Sequence, residues 1–227
     1  MPKRRKKAGP FERGATYRAT SAFEAERDRF DPAERLVYFR HAVSVYHSME
    51  GWFFYVDGGR GRLRTWDLPL GSLPRRVPFE KVADVDPLVV AAETGTVKPL
   101  ARLLRNRRKD DPFVRVALEA AVDAGEAGAA AAIVRHANLS TRLKVAALCS
   151  AASERRRDVA LALLDAGVPA ASRALWPAVW SGSASILAAL LARGAEVRKS
   201  GQSLASMLEY SERQNHHGVT KLLRKLG

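Results

Sequence analysis

Leucine recurs at near-constant spacing through residues 84–227, with small or apolar residues three and four positions after it and a Leu-Leu-like pair further on. The intervals between successive anchor leucines predict one helix–turn–helix unit per interval, because each unit must present an apolar face to the next. The pattern therefore predicts about five units and ten short helices. The anchors are Leu88, Leu118, Leu148, Leu175 and Leu204.

Three segments of these units carry a family resemblance. DPLVVAAETG (86–95) resembles the start of an ankyrin repeat, and ALLDAGVP (162–169) and LLARGAEV (190–197) resemble its end. Gly167 and Gly194 fall where a helix must stop in a left-handed conformation. Arg155 replaces the glycine of the third turn, the usual histidine after each anchor is missing, and the spacing implies shortened fingers. The resemblance implies a solenoid that binds proteins, and a different paired-helix repeat is the open alternative.

Residues 11–80 have a different pattern, with short runs rich in aromatic and β-branched residues that predict half-buried strands. Their order resembles a small SH3-like β-barrel. A short helix or ordered loop is expected at 21–29, and the Pro-rich stretch 69–78 is expected to link the barrel to the repeats. The predicted fold class is α+β in two parts, a β-barrel followed by an ankyrin-type solenoid. The predicted strands are 17–20, 36–39, 43–46, 52–56 and 63–66.

The chain has a net charge of +14, and residues 1–10 form a predicted disordered basic tail. In a eukaryote such a tail resembles a nuclear-localisation signal, and elsewhere it could contact nucleic acid or the ribosome. The expected location is cytoplasmic, or nuclear in a eukaryote. Its five cationic residues are Lys3, Arg4, Arg5, Lys6 and Lys7.

The sequence contains no recognised catalytic motif, so we expect that the protein is not an enzyme. The single cysteine, Cys149, excludes an intramolecular disulfide and is expected to be a core residue. Gly58-Gly59-Arg60-Gly61 lacks the Lys-Ser/Thr of a phosphate loop, and His216-His217 has no further ligand nearby. We expect no catalytic residue, cofactor, metal ion, secretory signal or membrane span.

The ankyrin resemblance implies that positions two, five and six after each anchor leucine face a concave groove. Acidic and aromatic residues occupy several of these positions, so the predicted function is a protein-interaction adaptor that binds a protein segment, preferably a basic one. An inhibitor or immunity-type protein is one variety of this function. The predicted groove residues are Glu93, Asp123, Glu154, Trp180, Glu209 and Tyr210.

The alternative is a nucleic-acid- or ribosome-associated protein that uses its tail and its basic clusters. These clusters fall at opposite edges of the predicted solenoid and form no single stripe that could follow phosphates. Partner identity, oligomeric state and any ligand of the barrel stay open. The clusters are Arg107, Arg108 and Lys109, and Arg155, Arg156 and Arg157.

Overall fold

The computed structural model describes residues 10–44, 49–59, 61–72 and 74–226. It is an α+β structure in which a five-stranded antiparallel sheet precedes ten α-helices in these described residues. Contacts divide the chain into a β unit, Met1–Val90 with Asp110–Ala117, and a helical unit, Ala91–Lys109 with Leu118–Gly227. None of the described helices has both the length and the apolarity needed to cross a membrane.

The sheet of the β unit is open, so the predicted closed barrel was wrong. Its strand order is β6-β5-β4-β1-β7, and the described residues show no pairing between the edge strands β6 and β7. A separate two-stranded hairpin, β2–β3, occupies the segment predicted as a short helix or loop. The strands are β1 Thr16–Ala19, β2 Phe23–Glu24, β3 Arg29–Phe30, β4 Leu36–Ser44, β5 Met49–Val56, β6 Leu63–Pro69 and β7 Phe79–Ala83.

Two features of the sheet differ from the expected strand pattern. The predicted strands 36–39 and 43–46 form one strand as far as Ser44, with a register shift between Tyr38 and Arg40; residues 45–48 lie outside the described residues. The stretch 69–78 connects β6 to β7, and β7 pairs with β1. It is therefore an internal connection of the β unit.

An aromatic core fills one face of the sheet. Trp52, Phe54 and Trp66 are buried there, because alternate residues of a strand point to the same face. The hairpin is tied to edge strand β6 through Asp28. Its carboxylate accepts hydrogen bonds from Arg64 Nη1 at 2.6 Å and from the backbone N–H of Thr65 at 3.1 Å. That backbone donor on an edge strand is thereby satisfied.

The ten helices fall where the leucine anchors place helix pairs. In α6, for example, the buried residues Val159, Ala160, Leu163 and Leu164 lie on one face. The helices are α1 Pro87–Glu93, α2 Val97–Leu104, α3 Pro112–Ala124, α4 Ala127–His136, α5 Thr141–Ser153, α6 Arg157–Asp165, α7 Leu175–Trp180, α8 Ala184–Ala192, α9 Leu204–Arg213 and α10 His217–Leu223.

Each of five tight turns joins an odd-numbered helix to the following even-numbered helix through one residue with positive φ. The next residue of each turn donates its N–H to the carbonyl five residues back, at 2.8 to 2.9 Å. This is the hydrogen bond that ends a helix at a left-handed residue. The third turn uses an arginine with a φ of 59°, a conformation that favours glycine. The positive-φ residues are Gly95, Gly125, Arg155, Gly182 and Asn215.

The even-numbered helices of the helical unit pack in chain order, α2 on α4, α4 on α6, α6 on α8 and α8 on α10. Among the odd-numbered helices, α5 packs on α7 and α7 on α9. Helix α4 has neighbours on two sides, and its six consecutive residues from Ala129 to Val134 are all buried. The small alanine side chains allow the close approach that this arrangement needs.

Candidate functional site

Successive helix pairs, each an odd-numbered helix with the even-numbered helix after it, are joined by side-chain hydrogen bonds. In each case a side chain of one pair bonds to a carbonyl in the last turn of the preceding odd-numbered helix. Arg156 Nη2 donates to the carbonyl of Asp123, and Ser181 Oγ donates to the carbonyl of Ala152 at 2.7 Å. The Nδ1 atom of His216 lies 3.1 Å from the carbonyl oxygen of Val179 and must carry the proton of this bond. All three carbonyls belong to the last turn of a helix, and those of Ala152 and Val179 also accept the N–H groups of Arg155 and Gly182. The side-chain bonds hold the ends of α3, α5, α7 and α9 next to one another.

A groove of about 410 Å³ runs along α7 and α9. We call it the aromatic groove. Three rings, one carboxylate and one guanidinium line it, and rings beside a carboxylate suit a ligand with an apolar stem and a positive charge. Its lining residues are Trp176, Trp180, Ser206, Glu209, Tyr210 and Arg213.

The three rings of the aromatic groove differ in how far they are packed against other side chains. Trp176 and Tyr210 are half-buried and meet edge to face, with ring centroids 5.1 Å apart. The guanidinium of Arg213 lies 5.7 Å from the centre of the Tyr210 ring, within reach of a cation–π contact. Trp180 is 53% exposed, although it is one of the largest apolar side chains. A solvated indole next to two packed rings is the feature that most distinguishes this surface.

No protein-family model matches this chain, and no curated protein is significantly similar to it.

A second feature of the same surface is the carboxyl pair formed by Asp123 at the end of α3 and Glu154 after α5. Burial raises the pKa of Glu154, and the charge and hydrogen bond of Asp123 raise it further. Arg156 and a hydrogen bond from Ser150 act in the opposite direction. Two adjacent carboxyls resist full ionisation, so a cation placed beside them would favour the ionised form.

The predicted groove residues lie on the odd-numbered helices α1, α3, α7 and α9 or, for Glu154, directly after α5. Trp180, Glu209 and Tyr210 meet in the aromatic groove, and Asp123 and Glu154 meet in the carboxyl pair. Glu93 is the last residue of α1 and is half-buried. Counting positions from the anchor leucines reaches Ser206, two after Leu204, but missed Trp176 and Arg213. Arg213 could have been found from its spacing, because residues three apart on a helix are neighbours and it follows Tyr210 by three.

The basic residues predicted to contact nucleic acid are less concentrated. Those of the tail, Lys3 to Lys7, lie outside the described residues. Arg107, Arg108 and Lys109 follow the end of α2, and Arg107 Nε donates to the carbonyl of Leu103.

The second cluster lies at the start of α6, where Arg155, Arg156 and Arg157 line a depression of about 320 Å³. Arg156 is bonded to the Asp123 carbonyl, and Arg157 lies 3.6 Å from Asp158. The two clusters therefore occupy opposite ends of their helices, and the second one is partly neutralised.

The two tryptophans of α7 should differ in what they contribute to stability. Trp176→Ala removes a half-buried ring from its contact with Tyr210 and should lower the free energy of unfolding by about 2 kcal/mol, below the value for fully buried aromatics. Trp180→Ala removes a ring that is mostly in water and should cost under about 0.5 kcal/mol. Urea unfolding of the two variants checks this, and equal losses would mean that Trp180 is a packing residue.

Proposed function

We propose that this chain is a protein-interaction module whose helical unit binds a basic segment of another protein along the ends of α3, α5, α7 and α9. The observation that carries the proposal is the exposed indole of Trp180 in the aromatic groove. Tryptophan and tyrosine are the residue types enriched among those that dominate binding energy at interfaces. Covering the Trp180 ring would bury apolar surface that the chain alone leaves in water.

The acidic residues of the same surface favour a basic partner. Glu209 lines the aromatic groove, and the carboxyl pair of Asp123 and Glu154 lies on the neighbouring helices. Complementary charge accelerates association and rejects acidic competitors. A phosphate backbone would meet these carboxylates on this surface, which argues against nucleic acid as its ligand.

We also propose that the helical unit is an ankyrin-type repeat stack. Support comes from the five turns with the same hydrogen bond and from the separate packing of odd- and even-numbered helices. For the β unit, an SH3-like relationship is supported by the strand order, in which the first and last strands, β1 and β7, are neighbours. Both assignments concern fold, and the binding proposal stands on the groove itself.

Peptide binding to the full chain tests the proposed function. We expect a short labelled peptide of Lys and Arg alternating with Ala to bind more tightly than the same peptide with Glu at the charged positions. Trp180→Ala should weaken binding of the basic peptide about 30-fold, equivalent to about 2 kcal/mol, because it removes the anchor ring. Fluorescence anisotropy at physiological ionic strength measures both effects.

A matched control is Val97→Ala, which truncates another exposed apolar residue of the helical unit, at the start of α2 and outside the groove. It should leave peptide affinity unchanged. Equal binding of the basic and acidic peptides, or equal loss in the two variants, would contradict the proposal. Binding of single-stranded RNA that competes with the peptide and survives Trp180→Ala would favour the nucleic-acid alternative instead.

A further inference from the structure

The aromatic groove contains one carboxylate, and that carboxylate is free. Among the six lining residues Glu209 is the only acid, and it has no hydrogen-bond or ion-pair partner in the described part of the chain. Arg213 lies one turn further along α9, at a spacing that permits an ion pair with Glu209. It is placed over the Tyr210 ring instead. A free carboxylate therefore remains beside an exposed indole.

We propose that the aromatic groove takes one arginine side chain of the basic segment, with its guanidinium stacked on the Trp180 ring and donating hydrogen bonds to the Glu209 carboxylate. This inference rests on the proposed function, because it names which side chain of the bound segment occupies this groove. The groove is open to solvent, and its volume of about 410 Å³ is at the lower end of the roughly 300–1,000 Å³ found for ligand clefts, a size suited to one side chain.

The chemistry of the groove favours arginine over lysine. A guanidinium is planar, stacks on aromatic faces and is more weakly hydrated than an ammonium group, so it loses less on leaving water beside an indole. Its paired N–H groups match the two oxygens of one carboxylate. The chain itself already places a guanidinium against an aromatic ring here, through Arg213 and Tyr210. Glu209 and Arg213 are the two charged residues that line the groove, and the Arg213 guanidinium lies over the Tyr210 ring, so the Glu209 carboxylate is the acceptor left for an added guanidinium.

Three versions of one peptide test the inference on the full chain. The peptide alternates Lys with Ala, and its three versions have Arg, Lys or the neutral isostere citrulline at one central position. We expect the Arg peptide to bind about tenfold more tightly than either of the others. Glu209→Gln should weaken the Arg peptide about tenfold and remove most of its advantage over the Lys peptide, because the bidentate acceptor is lost.

Glu212→Gln is the matched control. It removes the same charge from the same helix, from a carboxylate that lies 2.8 Å from Arg224 and does not line the aromatic groove. It should preserve the preference for the Arg peptide. In the indole region of a ¹H–¹⁵N NMR spectrum, the Arg peptide should shift the Trp180 signal, assigned by its loss in Trp180→Phe.

Failure of this inference is separable from failure of the proposed function. Equal affinity for the Arg, Lys and citrulline peptides would overturn the arginine site and leave the basic-segment proposal in place. An arginine preference that survives Glu209→Gln would overturn the assigned role of Glu209. Absence of binding by all three peptides would overturn the proposed function, and the inference with it.

Discussion

Replacing Phe11 by alanine should destabilise the β unit by about 4 kcal/mol, the largest loss that we expect from any single truncation in the chain. Phe11 precedes the first strand, yet its ring is 6% exposed and lies at the centre of the aromatic core. Its centroid is between 5.0 and 5.9 Å from those of five other rings. These rings are Tyr17, Tyr38, Phe54, Trp66 and Phe79.

The size of the Phe11 effect follows from its contacts. Removing the ring forfeits its burial and leaves a cavity between side chains from several strands, which cannot all collapse into it. Four of the five ring pairs are edge to face or nearly so, a geometry that adds to the burial term. Urea unfolding followed by near-ultraviolet circular dichroism measures the loss.

Phe53→Ala provides the comparison for Phe11→Ala, because Phe53 belongs to β5 but points to the opposite face and is half-buried. We expect a loss of about 1 to 2 kcal/mol, since less surface returns to water. A Phe11→Ala loss no larger than that of Phe53→Ala would show that Phe11 is peripheral.

Gly182→Ala should destabilise the helical unit by about 3 kcal/mol. One part of this cost is the backbone, which has a φ of +73° at Gly182; a left-handed conformation costs other residues about 1–2 kcal/mol. The other part is contact with the next helix pair. A Cβ at this position would lie 2.8 to 3.0 Å from atoms of the His216 ring, which would have to leave its hydrogen bond to Val179.

Gly167→Ala separates these two parts. Gly167 has a φ of +87°, but a Cβ there would meet nothing within 4 Å. Its substitution should cost only the backbone strain, about 1 kcal/mol. His216→Ala should reduce the cost of Gly182→Ala, since it removes the obstructing ring, so the two substitutions should be non-additive. Thermal and urea unfolding of the four variants test this, and additive losses would contradict the contact.

Local patterns in the sequence predicted the ten helices and the positions of their turns. This succeeds because helix faces and helix ends depend on residues a few positions apart. The anchor Leu175 and the turn residue Gly182 can be recognised within one helix pair. The pattern also marked position 155 as a turn that needs glycine, and Arg155 does have positive φ there.

The sheet depended on pairing between distant residues, and its details could not be predicted from such patterns. Strand composition located most of β1, β4, β5 and β6. It did not indicate that Phe79–Ala83 would pair with β1, because that pairing joins segments some sixty residues apart. Nor did it indicate that the sheet would stay open, because this depends on whether the edge strands β6 and β7 meet in three dimensions.

For the candidate site, the sequence by itself determined which odd-numbered helix carries each acidic or aromatic residue. Only the tertiary structure decided their environments. Trp176 and Trp180 are four residues apart on one helix, yet the first packs on Tyr210 and the second is exposed, because α9 covers only part of α7. The sequence spacing would allow an ion pair between Glu209 and Arg213. The tertiary structure places Arg213 over the Tyr210 ring instead, and this leaves the Glu209 carboxylate without an ion-pair partner in the described residues.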